Sequence, residues 1–294
     1  MALGVIALFL FLELYIRFLA VVLRHYPDFR VPARCDALIL CAGDSHTVGP
    51  PKGGGYPAQL EARLRAREPG RAYAVKNIGV SGYNTGQSVD LVRRFLAQTP
   101  RRPDLILFCA GFNNLTYPVL DPETDFAVLG SPGGWWARAV ADSRAAMMLR
   151  LCWHRLTLRE LNRIGDAAMH DHSLVTEGED LAFLAAWVRH DLKELADLAR
   201  TNGAKLALVT YWMPMNWVDR AYNEIARERG VPVLDVREFG YRRDSDEVAR
   251  LITADMHPNE RGYARIAELV ESQLVARKLL PVAAPRAQAV SSHR

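Results

Sequence analysis

A serine, a glycine, an asparagine and a histidine of this chain are of the types that could together supply a nucleophile, a general base and donors to an oxyanion. Ser45 lies in Gly43-Asp44-Ser45-His46-Thr47, directly after the apolar run Ala37–Ala42. A short apolar run of this kind, ended by glycine, reads as a buried strand of a parallel sheet. Where such a strand gives way to a helical turn, unsatisfied N–H groups and a positive dipole end point outward. A serine there is exposed beside a ready oxyanion site. The plain alternative is that Asp44 or Ser45 only caps the turn. A serine nucleophile needs a base, and the base needs an orienting group. His257, in Asp255-Met256-His257-Pro258-Asn259, meets the first need. Pro258 disfavours helical geometry at His257, which puts the histidine on a loop, and Asn259 is placed to cap the helix behind it. In an extended segment residues i and i+2 point the same way. Asp255 can then reach Nδ1 and leave Nε2 for the serine hydroxyl. Asn113, in Gly111-Phe112-Asn113-Asn114, can donate its amide to an oxyanion, and Gly82 can offer a backbone N–H where the lack of a side chain permits close approach. Each of the two, taken alone, also reads as a turn residue.

Regular alternation positions these groups. The patterning predicts strands at 37–42, 73–78, 105–110, 205–210 and 232–236, and helices at 56–67, 86–98, 180–201, 217–228 and 260–278. Alternating strands and helices imply the α/β class, a parallel sheet covered by helices on both faces. Ligands of such sheets bind at the carboxyl ends of the strands. Ser45, the turn Gly79–Gly82 and the segment Gly111–Asn114 fall at the ends of the first three strands. Residues from 115 to about 178 break the rhythm and read as a helical insertion over one end of the sheet, after the third strand.

Four blocks of this chain resemble those of the SGNH/GDSL hydrolase superfamily, esterase- and lipase-like enzymes with a three-layer α/β/α, flavodoxin-like fold. Gly43-Asp44-Ser45 is similar to the first block, Asn77-Ile78-Gly79-Val80-Ser81-Gly82 to the second, Gly111-Phe112-Asn113-Asn114 to the third and Asp255-Met256-His257-Pro258 to the last. The resemblance implies Ser45 as nucleophile and His257 as general base. Gly82, Asn113 and the N–H of Ser45 would form the oxyanion hole, with no cofactor or metal required. Two positions depart from the pattern. The third block usually ends in Asp where this chain has Asn114, and the acid usually lies three residues before the histidine, at Ala254 here. Asp255 is taken as the replacement. Asp244, Asp246 and a Ser–His dyad helped by a backbone carbonyl are the other options. The expected activity is hydrolysis of an acyl or acetyl ester through an acyl-enzyme, on a small-molecule, lipid or saccharide substrate. The alternatives are an O-acyltransferase that uses the same site on a saccharide acceptor, and a catalytically inactive carbohydrate- or lipid-binding module.

Composition bounds these readings. Half of the 294 residues are hydrophobic and 24% are charged, the balance of a globular protein with a sizeable core. The formal charge is +4; 32 of the 37 basic residues are Arg, scattered through the helices rather than clustered. That argues against nucleic acid as a partner. Residues 1–23 are apolar except for Glu13 and Arg17, which share a helix face at i and i+4. Such a length can cross a bilayer. We read residues 1–25 as a single-pass membrane anchor, 26–36 as a linker, 37–280 as the hydrolase-like domain and 281–294 as a disordered tail. The basic residues after the span place the domain on the cytoplasmic side, whereas resemblance to membrane-anchored bacterial members leans extracytoplasmic. The cysteines lack metal-ligand spacing. His46 is expected to point away from Ser45, and His170-Asp171-His172 reads as a solvated loop.

Overall fold

The computed structural model describes residues 4, 9–16, 18, 27–50, 54–114, 179–237, 250–253 and 256–280. The predicted insertion, the tail and most of the N-terminal span lie outside the described residues.

Strand β1 (Ala37–Gly43) is buried along its whole length, as a strand covered on both faces must be. After a single helical turn, α1 (Ser45–Val48), come α2 (Tyr56–Arg67), β2 (Tyr73–Asn77), α3 (Thr85–Gln98) and β3 (Leu105–Cys109). Beyond the undescribed stretch follow α4 (Glu179–Thr201), β4 (Lys205–Val209), α5 (Asn216–Arg229), β5 (Val233–Leu234) and α6 (Glu260–Ala276). The strands form one parallel sheet in the order β2-β1-β3-β4-β5. Right-handed crossovers then fix the faces. The chain runs outward from β1 to β2 through α2, then reverses and runs through α3, α4 and α5. One layer therefore holds α2, which packs on α6; the other holds α4 packed against both α3 and α5. The sequence-based boundaries agree with these elements to within one or two residues; at the last strand pairing covers only Val233–Leu234.

Reversal of the strand order makes β1 and β3 the switch point of the sheet, and a crevice opens beyond their carboxyl ends. Gly43, the last residue of β1, is wedged there. A Cβ at this position would lie 1.9 Å from the carbonyl oxygen of Cys109 on β3, so only glycine lets the two strand ends close together. Cys41 and Cys109 are buried free thiols in the strands. Among the described residues no helix is long and apolar enough to cross a membrane.

Candidate active site

Beyond Gly43, Asp44 caps α1 with its carboxylate. Its Oδ1 accepts the N–H of His46 at 3.0 Å, and the side chain has no solvent exposure. Capping is thus the role of Asp44, which leaves Ser45 as the first residue of the turn with its hydroxyl available. Asn77 braces the turn from β2: Nδ2 donates to the carbonyls of Thr47 and Val48 at 3.0 and 3.3 Å, while Oδ1 accepts the N–H of Gly79.

His257 arrives from the far end of the chain on a loop tied at several points. An isolated antiparallel bridge joins Ile252 to Pro258, and the N–H of Asn259 donates to the carbonyl of Leu251. The N–H and the hydroxyl of Thr253 both donate to the carbonyl of His257 at 2.8 Å. Asn259 caps α6, accepting from the N–H groups of Arg261 and Gly262. This loop carries the imidazole across the crevice so that Nε2 lies 2.8 Å from Oγ of Ser45.

Asp255 lies outside the described residues, as do Ala254, Asp244 and Asp246. Met256 adopts φ +65°, in a turn closed by its N–H on the carbonyl of Thr253. The backbone at Met256 is thus left-handed rather than the extended one read from the sequence for this segment.

Asn113 sits in a short 3-10 turn, Phe112–Asn114, just past β3. Its Nδ2 donates to the carbonyl of Tyr83 at 3.1 Å, which uses one of the two amide hydrogens and joins this turn to the loop holding Gly82. Gly82 has φ +79°, and a Cβ there would meet no atom within 4 Å. Glycine supplies the left-handed backbone that this turn needs. Among the described residues neither the N–H of Ser45 nor that of Gly82 is engaged in a hydrogen bond. Ser45, Gly82, Asn113 and His257 line one cleft of about 760 Å³, with Phe112, Met213 and Met256 supplying apolar wall.

Residues 41–265 match the GDSL-like Lipase/Acylhydrolase family. The chain belongs to that family. Among solved structures TesA covers 81% of this chain and 98% of its own at 18% identity, with a TM-score of 0.50, a likeness that supports the fold. The esterase EstA from Pseudoalteromonas sp., solved with monoethylphosphonate as inhibitor, covers 82% and 98% at 14% identity with a TM-score of 0.49. A lipase/acylhydrolase from Enterococcus faecalis covers 82% and 96% at 16% identity with a TM-score of 0.46. No curated protein sequence is significantly similar to the chain.

Several residues of this GDSL-family site escape a reading of the sequence. Tyr211, just past β4, is fully packed and touches two blocks at once: its hydroxyl donates to Oδ2 of Asp44 and accepts the N–H of Phe112 at 3.0 Å. Burial, with the Asp44 carboxylate beside it, pushes its phenol well above the ordinary tyrosine range. Trp217 similarly holds the carbonyl of Gly111 at 3.1 Å. The signal was available in the position of Tyr211 at the end of the fourth strand, since the strand ends are where such sheets work. His46 is 6% exposed, and its ring packs edge-on to Tyr211 and against His257. Its Nδ1 stops 3.6 Å from Oδ1 of Asp44, beyond hydrogen-bond distance, and both ring nitrogens are buried without a partner. Among the described residues no cluster of His, Cys, Asp and Glu is fit to hold a metal ion; His170, Asp171 and His172 lie outside them.

Proposed function

We propose that the protein is a serine ester hydrolase that works through an acyl-enzyme on Ser45. The observation that carries this reading is the 2.8 Å approach of His257 Nε2 to Ser45 Oγ at the mouth of the cleft. Nε2 takes the hydroxyl proton as Oγ attacks the ester carbonyl. Charge developing on the carbonyl oxygen is met by the N–H groups of Ser45 and Gly82 and by the second amide hydrogen of Asn113. The imidazolium then protonates the departing alkoxide. Water, deprotonated by the same histidine, releases the acid and restores Ser45. Asp255 is assigned the orienting role at Nδ1 of His257 on its place in the chain.

A cleft of about 760 Å³ accommodates an acyl group against Phe112, Met213 and Met256 together with an alcohol of modest size. The apolar segment 1–25 is assigned to a membrane surface. Support comes from its composition and from the outward-facing side chains of Phe9, Leu10, Phe11, Leu12, Leu14, Tyr15 and Phe18. Flotation with liposomes, expected for the full chain and lost on removal of residues 1–25, tests that assignment.

The activity is tested with a short p-nitrophenyl ester. Purified protein should release p-nitrophenol, and Ser45→Ala should remove the release. Retention of full activity by Ser45→Ala overturns the reading. Product analysis in the presence of a saccharide tells hydrolysis from acyl transfer.

A further inference from the structure

Behind the turn that carries Asn113 lies a buried chain of hydrogen bonds whose direction is fixed at every link. Asn114 has no solvent exposure, and its Oδ1 accepts the backbone N–H of Thr85 at 3.0 Å. A backbone N–H only donates, so the oxygen must face it and the NH₂ must face the other way. That NH₂ donates to Oγ1 of Thr85 at 2.8 Å. The Thr85 hydroxyl, fully buried, has a single proton, and it goes to Oδ2 of Asp191 on α4. Asp191 is itself 2% exposed and far along the chain from both strand ends.

The ends of this chain of bonds matter for the site. Thr85 opens α3 immediately after the loop of Gly82 and Tyr83, and Asn114 adjoins Asn113. The link from Asn114 to Thr85 and the link from Asn113 to the Tyr83 carbonyl are therefore two cross-braces between the same two loops. They fix the separation of the Gly82 N–H from the Asn113 amide.

We propose that Asp191 and Asn114 are a matched pair of positioning residues that hold the oxyanion donors in register through Thr85. The proposal rests on the oxyanion role given above to Gly82 and Asn113. Matching is a matter of protons. With an amide at 114 and a carboxylate at 191, the Thr85 hydroxyl accepts from one and donates to the other. With carboxylates at both positions, one proton serves two acceptors, and an acidic oxygen is left facing the hydroxyl oxygen with no hydrogen between them. With the groups exchanged, the Thr85 hydroxyl accepts from the amide at 191 and donates to the carboxylate at 114, which still accepts the Thr85 N–H.

The test is the set Asn114→Asp, Asp191→Asn and the double variant, assayed on a p-nitrophenyl ester with rates normalised to sites labelled by a fluorophosphonate. Normalisation removes any loss due to unfolded protein. Asn114→Asp should lower kcat on the order of tenfold or more with KM changed less than about threefold. Asp191→Asn should cost less, because an amide oxygen can still accept from Thr85. The double variant should recover most of what Asn114→Asp loses, a coupling that independent sites do not show. If Asn114→Asp does not fold, Thr85→Val should show the same loss of kcat and Thr85→Ser should not. Unchanged kcat in Asn114→Asp or Thr85→Val, or a double variant at the product of the two single losses, overturns the proposal. In either event, activity in Ser45→Ala would be a failure of the acyl-enzyme reading instead.

Discussion

The ring of His46 lies 4.9 Å from that of His257, centre to centre, with 32° between their planes. One face of the imidazole proposed as general base is thus backed by a second imidazole, itself set edge-on to Tyr211 at 4.7 Å. Both nitrogens of His46 are buried without a partner, a cost of about 1–3 kcal/mol for each unsatisfied group. Replacement by leucine, of similar volume, should relieve that cost and remove the backing ring. His46→Leu is expected to gain roughly 1 kcal/mol in urea unfolding while kcat falls on the order of tenfold and KM holds. A variant both less stable and fully active would show the ring to be packing alone.

Two glycines of the site should respond in opposite measure. At Gly43 a methyl group would run into the Cys109 carbonyl and the Thr47 hydroxyl, at 1.9 and 2.4 Å, so Gly43→Ala must push β1 from β3. A loss of about 3 kcal/mol or more is expected, with activity lost as Ser45 shifts. At Gly82 a methyl group meets open space, and only the left-handed backbone resists it. Gly82→Ala should cost about 1–2 kcal/mol. Paired denaturation curves decide the ranking.

Alkaline stability should report the buried phenols. Burial, and next the Asp44 carboxylate, raises Tyr211; burial and next Cys109 raises Tyr222. A group whose folded pKa is raised contributes stability that is complete below its unfolded value, about 10 for tyrosine, and that is lost as pH climbs past it. Each such phenol steepens the fall in unfolding free energy above pH ~10 by up to ~1.4 kcal/mol per pH unit. Tyr211→Phe should flatten that limb by about one such increment. An unchanged slope would place the phenol in water.

The orienting acid is open to a simple comparison. Asp255→Asn is expected to lower kcat/KM by about 100-fold or more, as loss of a triad carboxylate does. Asp244→Asn and Asp246→Asn should leave it within about threefold. Equal losses at Asp244 or Asp246 would reassign the carboxylate.

The fold was legible because burial on both faces leaves a long signature. Ala37–Ala42, Leu105–Ala110 and Lys205–Thr210 are largely apolar runs that no amphipathic helix would carry, and β1, β3 and β4 coincide with them to within one residue. The pieces of the site were legible as strand-end motifs for the same reason, and the structure brings Ser45, Gly82, Asn113 and His257 to one cleft. What stayed hidden depends on contacts across the chain. Tyr211 meets Asp44 over a separation of 167 residues, and Asp191 meets Thr85 over 106; the strand-end place of Tyr211 is visible in the sequence, but its partner is not, and neither is that of Asp191. The backbone at Met256 is of the same kind: its left-handed turn depends on Thr253 and on the Trp212 indole, which donates to the Met256 carbonyl at 3.2 Å. Spacing along the chain carries no trace of it.

Covalent capture of Ser45 is the most direct measurement. Full-length protein treated with a fluorophosphonate, digested and sequenced by mass spectrometry should carry one phosphonyl group, on the peptide that contains Ser45. Labelling should be abolished in Ser45→Ala and slowed on the order of a thousandfold in His257→Ala, both variants remaining folded by circular dichroism. Equal labelling of the wild type and Ser45→Ala, or modification at another residue, would contradict the account.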